Sequence, residues 1–169
     1  SAETPLLIVP DSLEGLSALA KAARARSSAR IVAVTGSVGK TGSKELIARA
    51  LATAGSVSVS AGNLNNYIGA PLSLARLPAD AAFGVFELGM NQPGEIAPLS
   101  RLARPHVVLV TNVEAVHTEF FDHLDAVAEA KAEIFAGLEP GAVAVLNRDN
   151  EYFDFLQTRA LDAGAARII

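Results

Sequence analysis

The chain has 169 residues, of which 50% are hydrophobic and 19% are charged, a composition typical of a globular domain and not of a disordered segment. Its net charge of −4 and the lack of any basic run argue against a nucleic-acid-binding surface. The sequence has no cysteine, which excludes disulfides and thiolate metal sites, and no apolar stretch approaching the ~20 residues that span a bilayer.

Residues 1–29 are predicted to be the tail of a preceding N-terminal domain followed by a linker. A short apolar run at 6–9 leads into a helix whose N-cap is Asp11 or Ser12. Leucines recur on one side of this helix, at Leu13, Leu16 and Leu19. The basic and serine-containing stretch 24–28 resembles a linker, so the main domain is expected to start directly after it.

A glycine loop between a buried strand and a helix organises the rest of the chain. Residues 31–34 are predicted to form the strand, and the loop with the helix start comprises Gly36, Ser37, Val38, Gly39, Lys40 and Thr41. Glycines let the backbone close around an anion, so that loop N–H groups and the helix N-terminus point at phosphate oxygens. Lys40 is expected to reach the terminal phosphates and Thr41 to hold Mg²⁺. The pattern is TGxxGKT, because Val34 occupies the position of the first glycine in the commoner GxxxxGKT.

From residue 31 onward, stretches typical of strands and of helices alternate, which predicts a mostly parallel sheet with helices on both faces. The fold class is therefore α/β, a three-layer sandwich like that of the P-loop NTPases. The later strands are predicted at 56–60, 81–88, 106–111 and 142–147. Helices are predicted at 40–54, around Pro71, from near Pro93, at 122–137 and at 150–162. In such sheets ligands bind beyond the carboxyl ends of the strands.

Polar residues follow several of these strand ends. Glu87 closes a continuous apolar strand, where an NTPase places the acidic group that binds Mg²⁺, although a solvated carboxylate is the alternative. Asn112 and His117 follow the next strand, and a lone histidine in a loop is as compatible with a structural role as with a catalytic one. Two further polar groups fit either ligand contacts or ordinary turns: Asn147 with Asp149, and Asn63 with Asn65 and Asn66.

Lys131 falls on the apolar face of the helix predicted at 122–137. It lies seven residues after Leu124 and seven before Leu138, so the helical period places it on the buried side. Such a lysine must extend its ammonium to solvent, pair with an acid, or be chemically altered. Burial also lowers the pKa of a lysine, which increases the fraction of reactive neutral amine.

The motifs TGSVGKT, AGNLNNYIGAP, FELGMNQPGEI, TNVEAVH, EAKAEIF and LNRDN follow one another in this order. In this respect residues 30–169 resemble the central ATP-binding domain of the Mur ligases, truncated at its C-terminal end. Within that family the chain is most similar to the type that joins D-alanyl-D-alanine to UDP-N-acetylmuramoyl-tripeptide. The resemblance implies a cytoplasmic enzyme of peptidoglycan synthesis that forms an acyl phosphate from ATP and the tripeptide carboxylate.

The resemblance also implies a role for each motif. Lys40 and the loop amides of residues 36–41 would bind ATP, and Thr41 with Glu87 would bind a first Mg²⁺. Glu87 and His117 would serve a second Mg²⁺, which Lys131 would help to position after reacting with CO₂ to form a carbamate. Asn147 and Asp149 match the nucleotide-contacting turn, and Asn63, Asn65 and Asn66 match the loop that faces the peptide substrate.

Three other interpretations stay open at this point. The first is a related amide ligase such as folylpolyglutamate synthase, from which AGNLNNYIG and FELGMN point away. The second is a stand-alone P-loop phosphotransferase or NTPase, which would lack CO₂ dependence at Lys131, and the third is a non-catalytic nucleotide-binding module. Mur ligases carry an N-terminal and a C-terminal domain, and this chain contains neither of them completely. We therefore expect the chain to be a piece of a longer enzyme and not to catalyse ligation alone.

Overall fold

The computed structural model describes residues 7–115 and 123–169 of the chain. Within them, six parallel strands form one sheet in the order β2-β3-β1-β4-β5-β6. The strands are β1 Arg30–Thr35, β2 Val57–Val59, β3 Phe83–Glu87, β4 Val107–Val110, β5 Val143–Leu146 and β6 Arg167–Ile168. The α/β class and the parallel sheet predicted from the sequence are therefore confirmed.

Helices cover both faces of the sheet. They are α1 Ser12–Arg26, α2 Lys40–Leu51, α3 Gly69–Ala75, α4 Ile96–Ala103, α5 Leu124–Ala132 and α6 Phe153–Asp162. On one face, α2 packs Ala48 against Val32 and Val34 of β1. On the other face, Ala33 of β1 and its neighbours in β4 and β5 pack against residues of α4, α5 and α6. Alternate residues of β1 thus face opposite layers, as the period of a strand requires.

Several predicted elements have slightly different ends in the structure. The helix predicted at 122–137 is an α-helix only as far as Ala132 and continues as a 3₁₀ turn over Glu133–Gly137. The helix predicted to begin near Pro93 begins at Ile96. Among the described residues, none of the helices combines the length and the apolarity needed to cross a membrane.

Helix α1 begins where the sequence predicts, since Asp11 accepts hydrogen bonds from the N–H groups of Leu13 and Glu14, both at 2.8 Å. The predicted leucine face is wrong, because Leu13 and Leu19 are 43% and 49% exposed. The buried side of the helix consists of Ala20, Ala23 and Arg24. Small side chains allow α1 to lie close to α3 and α4, which it contacts along its length.

Arg24 fastens α1 to the end of α4. Its side chain is buried, and its guanidinium donates to the carbonyl oxygens of Ala103 at 2.7 Å, Arg104 at 3.0 Å and Ser27 at 3.2 Å. The C-terminal end of α4 has carbonyl groups without intrahelical partners, and the guanidinium satisfies them. Residues that the sequence suggested as a linker therefore contact the sheet domain directly, while their assignment to a preceding domain stays a prediction.

The register of the central strands brings the glycine loop between two other strand ends. Val34 of β1 lies opposite Glu87 at the end of β3, and Thr35 lies opposite Val110 at the end of β4. The chain after β1 therefore leaves the sheet with Glu87 on one side and the residues after β4 on the other.

Replacing Arg24 by Met should lower the free energy of unfolding by about 2 to 4 kcal/mol, because buried carbonyls lose charged donors. Urea unfolding of the chain measures this change. Arg49, which is exposed on α2, provides the matched control, and Arg49→Met should stay within about 0.5 kcal/mol of the native chain. Equal stability of the two variants would show that the Arg24 contacts do not hold α1 in place.

Candidate active site

The loop after β1 has the geometry of a phosphate cradle. Gly36 and Gly39 have φ angles of +145° and +81°, which a residue with a side chain rarely adopts. At Gly36 a side chain is also excluded by space, since a Cβ atom there would lie 1.9 Å from Thr111 Oγ1. Helix α2 begins directly afterwards at Lys40, and the first N–H groups of a helix have no intrahelical acceptor. These N–H groups and the positive end of the helix can bind an anion.

The residues after β4 brace the loop from one side. Asn112 accepts from two loop amides, with its backbone oxygen 3.1 Å from Ser37 N and its side-chain oxygen 3.0 Å from Val38 N. Ser37 and Glu114 exchange two further hydrogen bonds of 2.9 Å through the serine hydroxyl. The loop is therefore held in shape by protein contacts alone. The sequence marked Asn112 only as a polar residue at a strand end.

Lys40 lies across the mouth of the loop. Its Nζ donates to the carbonyl oxygens of Gly36 at 2.8 Å and of Ser37 at 3.2 Å. Burial lowers the pKa of Lys40, and the negative charge of Glu87 opposes this shift. The ammonium therefore lies within the field of the carboxylate and beside the loop that would hold phosphates.

Glu87 is the acidic centre of this region, with only 1% of its surface exposed. Its Oε2 accepts from the Thr41 hydroxyl at 2.8 Å, and its Oε1 accepts from Asn65 Nδ2 at 2.7 Å. The Nζ of Lys44 lies 4.0 Å from the same Oε2 atom. The structure thus brings together the hydroxyl and the carboxylate that the sequence predicted as Mg²⁺ ligands.

Lys44 was not recognised from the sequence. It is fully buried, and its Nζ donates to the backbone oxygens of Ser60 at 2.8 Å and Gly62 at 2.7 Å. The sequence does contain a pattern that predicts the burial of Lys44, because this residue precedes Ile47, Ala48 and Leu51 by three, four and seven residues. This is the spacing of the face that α2 packs on the sheet.

A cavity of about 360 Å³ opens beside Lys40. It is lined by Lys40, Asn63, Leu64, Asn65, Asn66, Gly89, Met90, Asn91 and Glu95. The three predicted asparagines therefore meet the glycine loop at one site. Asn66 also has a structural task, since its Oδ1 accepts from Gly69 N at 2.8 Å at the start of α3. Gly89 is needed for this arrangement, because a Cβ there would lie 2.7 Å from Asn65 Cγ.

Lys131 is buried, as the helical period predicts, with 3% of its surface exposed. Burial, and then the positive charge of Lys40, lower the pKa of Lys131 to about 8. Within residues 7–115 and 123–169, no hydrogen bond or ion pair joins its ammonium to another side chain or carbonyl. Lys40 and Lys131 are thus close enough to repel each other, and among the described residues only Lys40 has hydrogen-bond acceptors for its ammonium.

The turn after β5 lies beside the end of β4. Asn147 Oδ1 accepts from Asp149 N at 3.0 Å, and Asn150 Nδ2 donates to Val113 O at 3.0 Å. The interpretation of this stretch as a turn is confirmed, and the helix predicted at 150–162 begins only at Phe153. Asn147 and Asp149 are exposed and can contact a ligand, so their nucleotide role stays a prediction.

The predicted ligand His117 lies outside the described residues. Among the residues that are described, no three side chains of His, Cys, Asp or Glu gather as a metal cluster. The oxygens of Thr41 and Glu87 nevertheless fit Mg²⁺, because this ion takes oxygen ligands and is commonly held by one or two carboxylates plus phosphate oxygens and water. Thr41 is exposed at the helix start, so its hydroxyl is open to a ligand held by the loop.

Comparison with known proteins agrees with this geometry. The UDP-N-acetylmuramoyl-tripeptide–D-alanyl-D-alanine ligase of Escherichia coli (strain K12) is 46% identical over 148 residues, which are 88% of this chain and 33% of that enzyme. A crystal structure of MurF from Acinetobacter baumannii has a TM-score of 0.89 at 30% identity, covering 98% of this chain and 38% of that one. The MurF ligase of Thermotoga maritima in complex with ADP has a TM-score of 0.83 at 31% identity, with the same coverage.

The chain spans about a third of the length of the curated relatives that it matches. The family model of the Mur ligase middle domain matches residues 34–169, from the last residues of β1 through the end of the sheet. This match includes the glycine loop, Glu87, Lys131 and the loop of residues 60–66 that carries the three asparagines, called the asparagine loop below. The chain therefore belongs to the Mur ligase middle domain family.

Proposed function

We propose that this chain is the ATP-binding domain of a ligase that joins D-alanyl-D-alanine to UDP-N-acetylmuramoyl-tripeptide. The observation that carries the proposal is the hydrogen bond between Thr41 and Glu87 at the edge of the asparagine-lined cavity. It places a hydroxyl and a buried carboxylate where a phosphate-bound Mg²⁺ needs oxygen ligands. The 46% identical relative carries this ligase name, and the related T. maritima ligase binds ADP.

In this proposal the loop amides of residues 36–41 bind the phosphates of ATP, and Lys40 turns from the loop carbonyls to the terminal phosphate. Bound Mg²⁺ would offset negative charge between the phosphates and the incoming carboxylate. An oxygen of the tripeptide carboxylate attacks the terminal phosphorus, and the bond to ADP breaks. The amine of D-alanyl-D-alanine then attacks the acyl carbon, phosphate leaves, and the amine loses a proton.

The cavity gives this chemistry a location for the peptide. Asn63, Asn65 and Asn66 supply amide groups that can donate to a carboxylate or accept from a peptide N–H. Lys40 lines the same cavity, so a carboxylate bound among the asparagines lies next to the phosphate site. Proximity of this kind turns the meeting of carboxylate and phosphate into an effectively unimolecular step.

We assign the remaining predicted residues to the same site. The neutral amine of Lys131 would add CO₂ and lose a proton to give a carbamate, and this anion would hold a second Mg²⁺ together with Glu87 and His117. Asn147 and Asp149 contact the nucleoside from the turn after β5. Residues 1–29 are the tail of a preceding domain, and the whole enzyme includes N-terminal and C-terminal domains and works in the cytoplasm.

Replacing Lys40 by Ala should weaken the Mg²⁺-dependent binding of an ATP analogue by about 100-fold, because a charge-assisted contact to the terminal phosphate worth about 2 to 3 kcal/mol is lost. Calorimetric titration of the chain with an ATP analogue, with and without Mg²⁺, measures this. Lys21→Ala is the matched control, since Lys21 is exposed on α1 far along the chain from the loop. Native binding that does not depend on Mg²⁺ would favour a non-catalytic nucleotide-binding module.

The full-length enzyme that contains this chain should release phosphate from ATP only when both UDP-N-acetylmuramoyl-tripeptide and D-alanyl-D-alanine are present. Amide formation follows from the acyl phosphate, so product and phosphate should appear in equal amounts. A coupled phosphate assay together with mass spectrometry of the product measures both. Activity with a folate and glutamate in place of these substrates would contradict the proposal and support the folylpolyglutamate synthase alternative.

Carbamate formation at Lys131 should rise as the pH rises through about 8, because only the neutral amine attacks CO₂. With this pKa about a tenth of the side chain is neutral at pH 7, far more than for a lysine with the ordinary value of 10.5. Carbon-13 NMR with labelled CO₂ at fixed dissolved concentration detects the carbamate. The signal should be absent in Lys131→Met, and an equal signal in that variant would place the carbamate elsewhere.

A further inference from the structure

Lys44 is a buried cation to which the proposed function gives no role. The chain has four lysines, at positions 21, 40, 44 and 131. Lys44 has no exposed surface and lies on the same side of α2 as Ala48, which packs on the sheet. An apolar residue would fill such a position without the desolvation penalty of a charge. The presence of a lysine therefore points to contacts that only a cation makes.

Those contacts join α2 to the start of the asparagine loop. The Nζ of Lys44 donates to Ser60 O and Gly62 O, and the loop continues directly into Asn63. Strand β2, which precedes Ser60, has only three residues and pairs with β3 alone. A short edge strand gives weak support to the loop that follows it. Strand β3 and the residues after it hold the loop through Ser60 N to Val85 O at 3.1 Å and Gly89 N to Asn65 O at 2.8 Å, and Lys44 adds an anchor from the side of α2.

The same ammonium lies near Glu87, which is itself bonded to the loop. Lys44 Nζ is 4.0 Å from Glu87 Oε2, while Asn65 donates to Glu87 Oε1 at 2.7 Å. Ser60 completes the connection, because its hydroxyl accepts from Glu87 N at 3.2 Å. The start of the loop is therefore tied to α2 by Lys44. Near the end of the loop, Asn65 is tied to α2 through Glu87, which also accepts from Thr41.

We propose that Lys44 is a positioning residue that fixes the asparagine loop, residues 60–66, to the helix that begins at the phosphate cradle. This inference rests on the proposed function, in which that loop faces the peptide substrate. Lys44 makes no contact with the cradle loop, residues 36–39, among the contacts that the structure describes. Its loss should therefore disturb the substrate side of the site and leave nucleotide binding without Mg²⁺, which does not involve Glu87, almost intact.

Hydrogen exchange followed by mass spectrometry tests this in the 169-residue chain. In Lys44→Met the amides of residues 61–66 should exchange about tenfold faster, because the two carbonyl anchors are lost and the loop opens locally. Lys44→Arg keeps the charge and donors and should restore exchange to within about threefold of native. Lys21→Met is the matched control and should leave the loop unchanged. ADP affinity measured without Mg²⁺ should change less than about twofold in all three variants.

Three results would overturn the proposal. The first is native exchange of residues 61–66 in Lys44→Met, and the second is faster exchange spread evenly over the whole sheet. The third is failure of both Lys44→Met and Lys44→Gln to fold, since Lys44 would then support the entire domain. None of these readouts depends on ligase activity, so they separate this inference from the proposed function.

Kinetics of the full-length enzyme provide a second readout that global destabilisation would not produce. At saturating ATP, Lys44→Met should raise the KM for the UDP-linked tripeptide about tenfold while the KM for ATP changes less than about twofold. Lys44→Arg should recover most of the loss. A parallel rise in the KM for ATP would place Lys44 in the nucleotide site and contradict the positioning role.

Discussion

The buried carboxylate of Glu87 is the constraint on which the site depends. A charge with 1% exposure is tolerated only when charged or polar partners replace its water. Thr41, Asn65 and Lys44 provide these partners from the start of α2, the asparagine loop and the middle of α2. Because two of these partners belong to α2 and the third to the asparagine loop, satisfying one charge also fixes these two segments relative to β3.

The strand order makes this convergence possible. With β1 between β3 and β4, the chain that leaves β1 must pass between the end of β3 and the end of β4. Glu87 then meets the cradle from one side, and Asn112 meets it from the other through two loop amides. The space between the cradle and the asparagine loop becomes the cavity beside Lys40. Topology therefore brings the phosphate cradle and the asparagine loop together, and Gly89 leaves the space that Asn65 occupies.

The sequence predicted the fold class, the order of the elements and the burial of Lys131, because these follow from apolar periodicity and from glycines at turns. It did not predict Lys44 or the burial of Arg24. Both are long cationic side chains whose carbonyl partners lie between 16 and 80 residues away, apart from the short contact of Arg24 with Ser27. Partners at such separations are defined only by packing. The packing of α1 was missed for the same reason. Its buried side consists of alanines and not of leucines, because close contact with α3 and α4 favours small side chains.

Lys131 and Lys40 present an electrostatic problem that the proposed carbamate solves. Two ammonium groups near each other repel, and the charge of Lys40 contributes to the lowered pKa of Lys131. The Lys40 ammonium is stabilised by two carbonyls and by the field of Glu87, whereas burial and the charge of Lys40 lower the pKa of Lys131 to about 8. A neutral amine in a buried position is a nucleophile for CO₂. Its product is an anion, which would convert the repulsion with Lys40 into attraction.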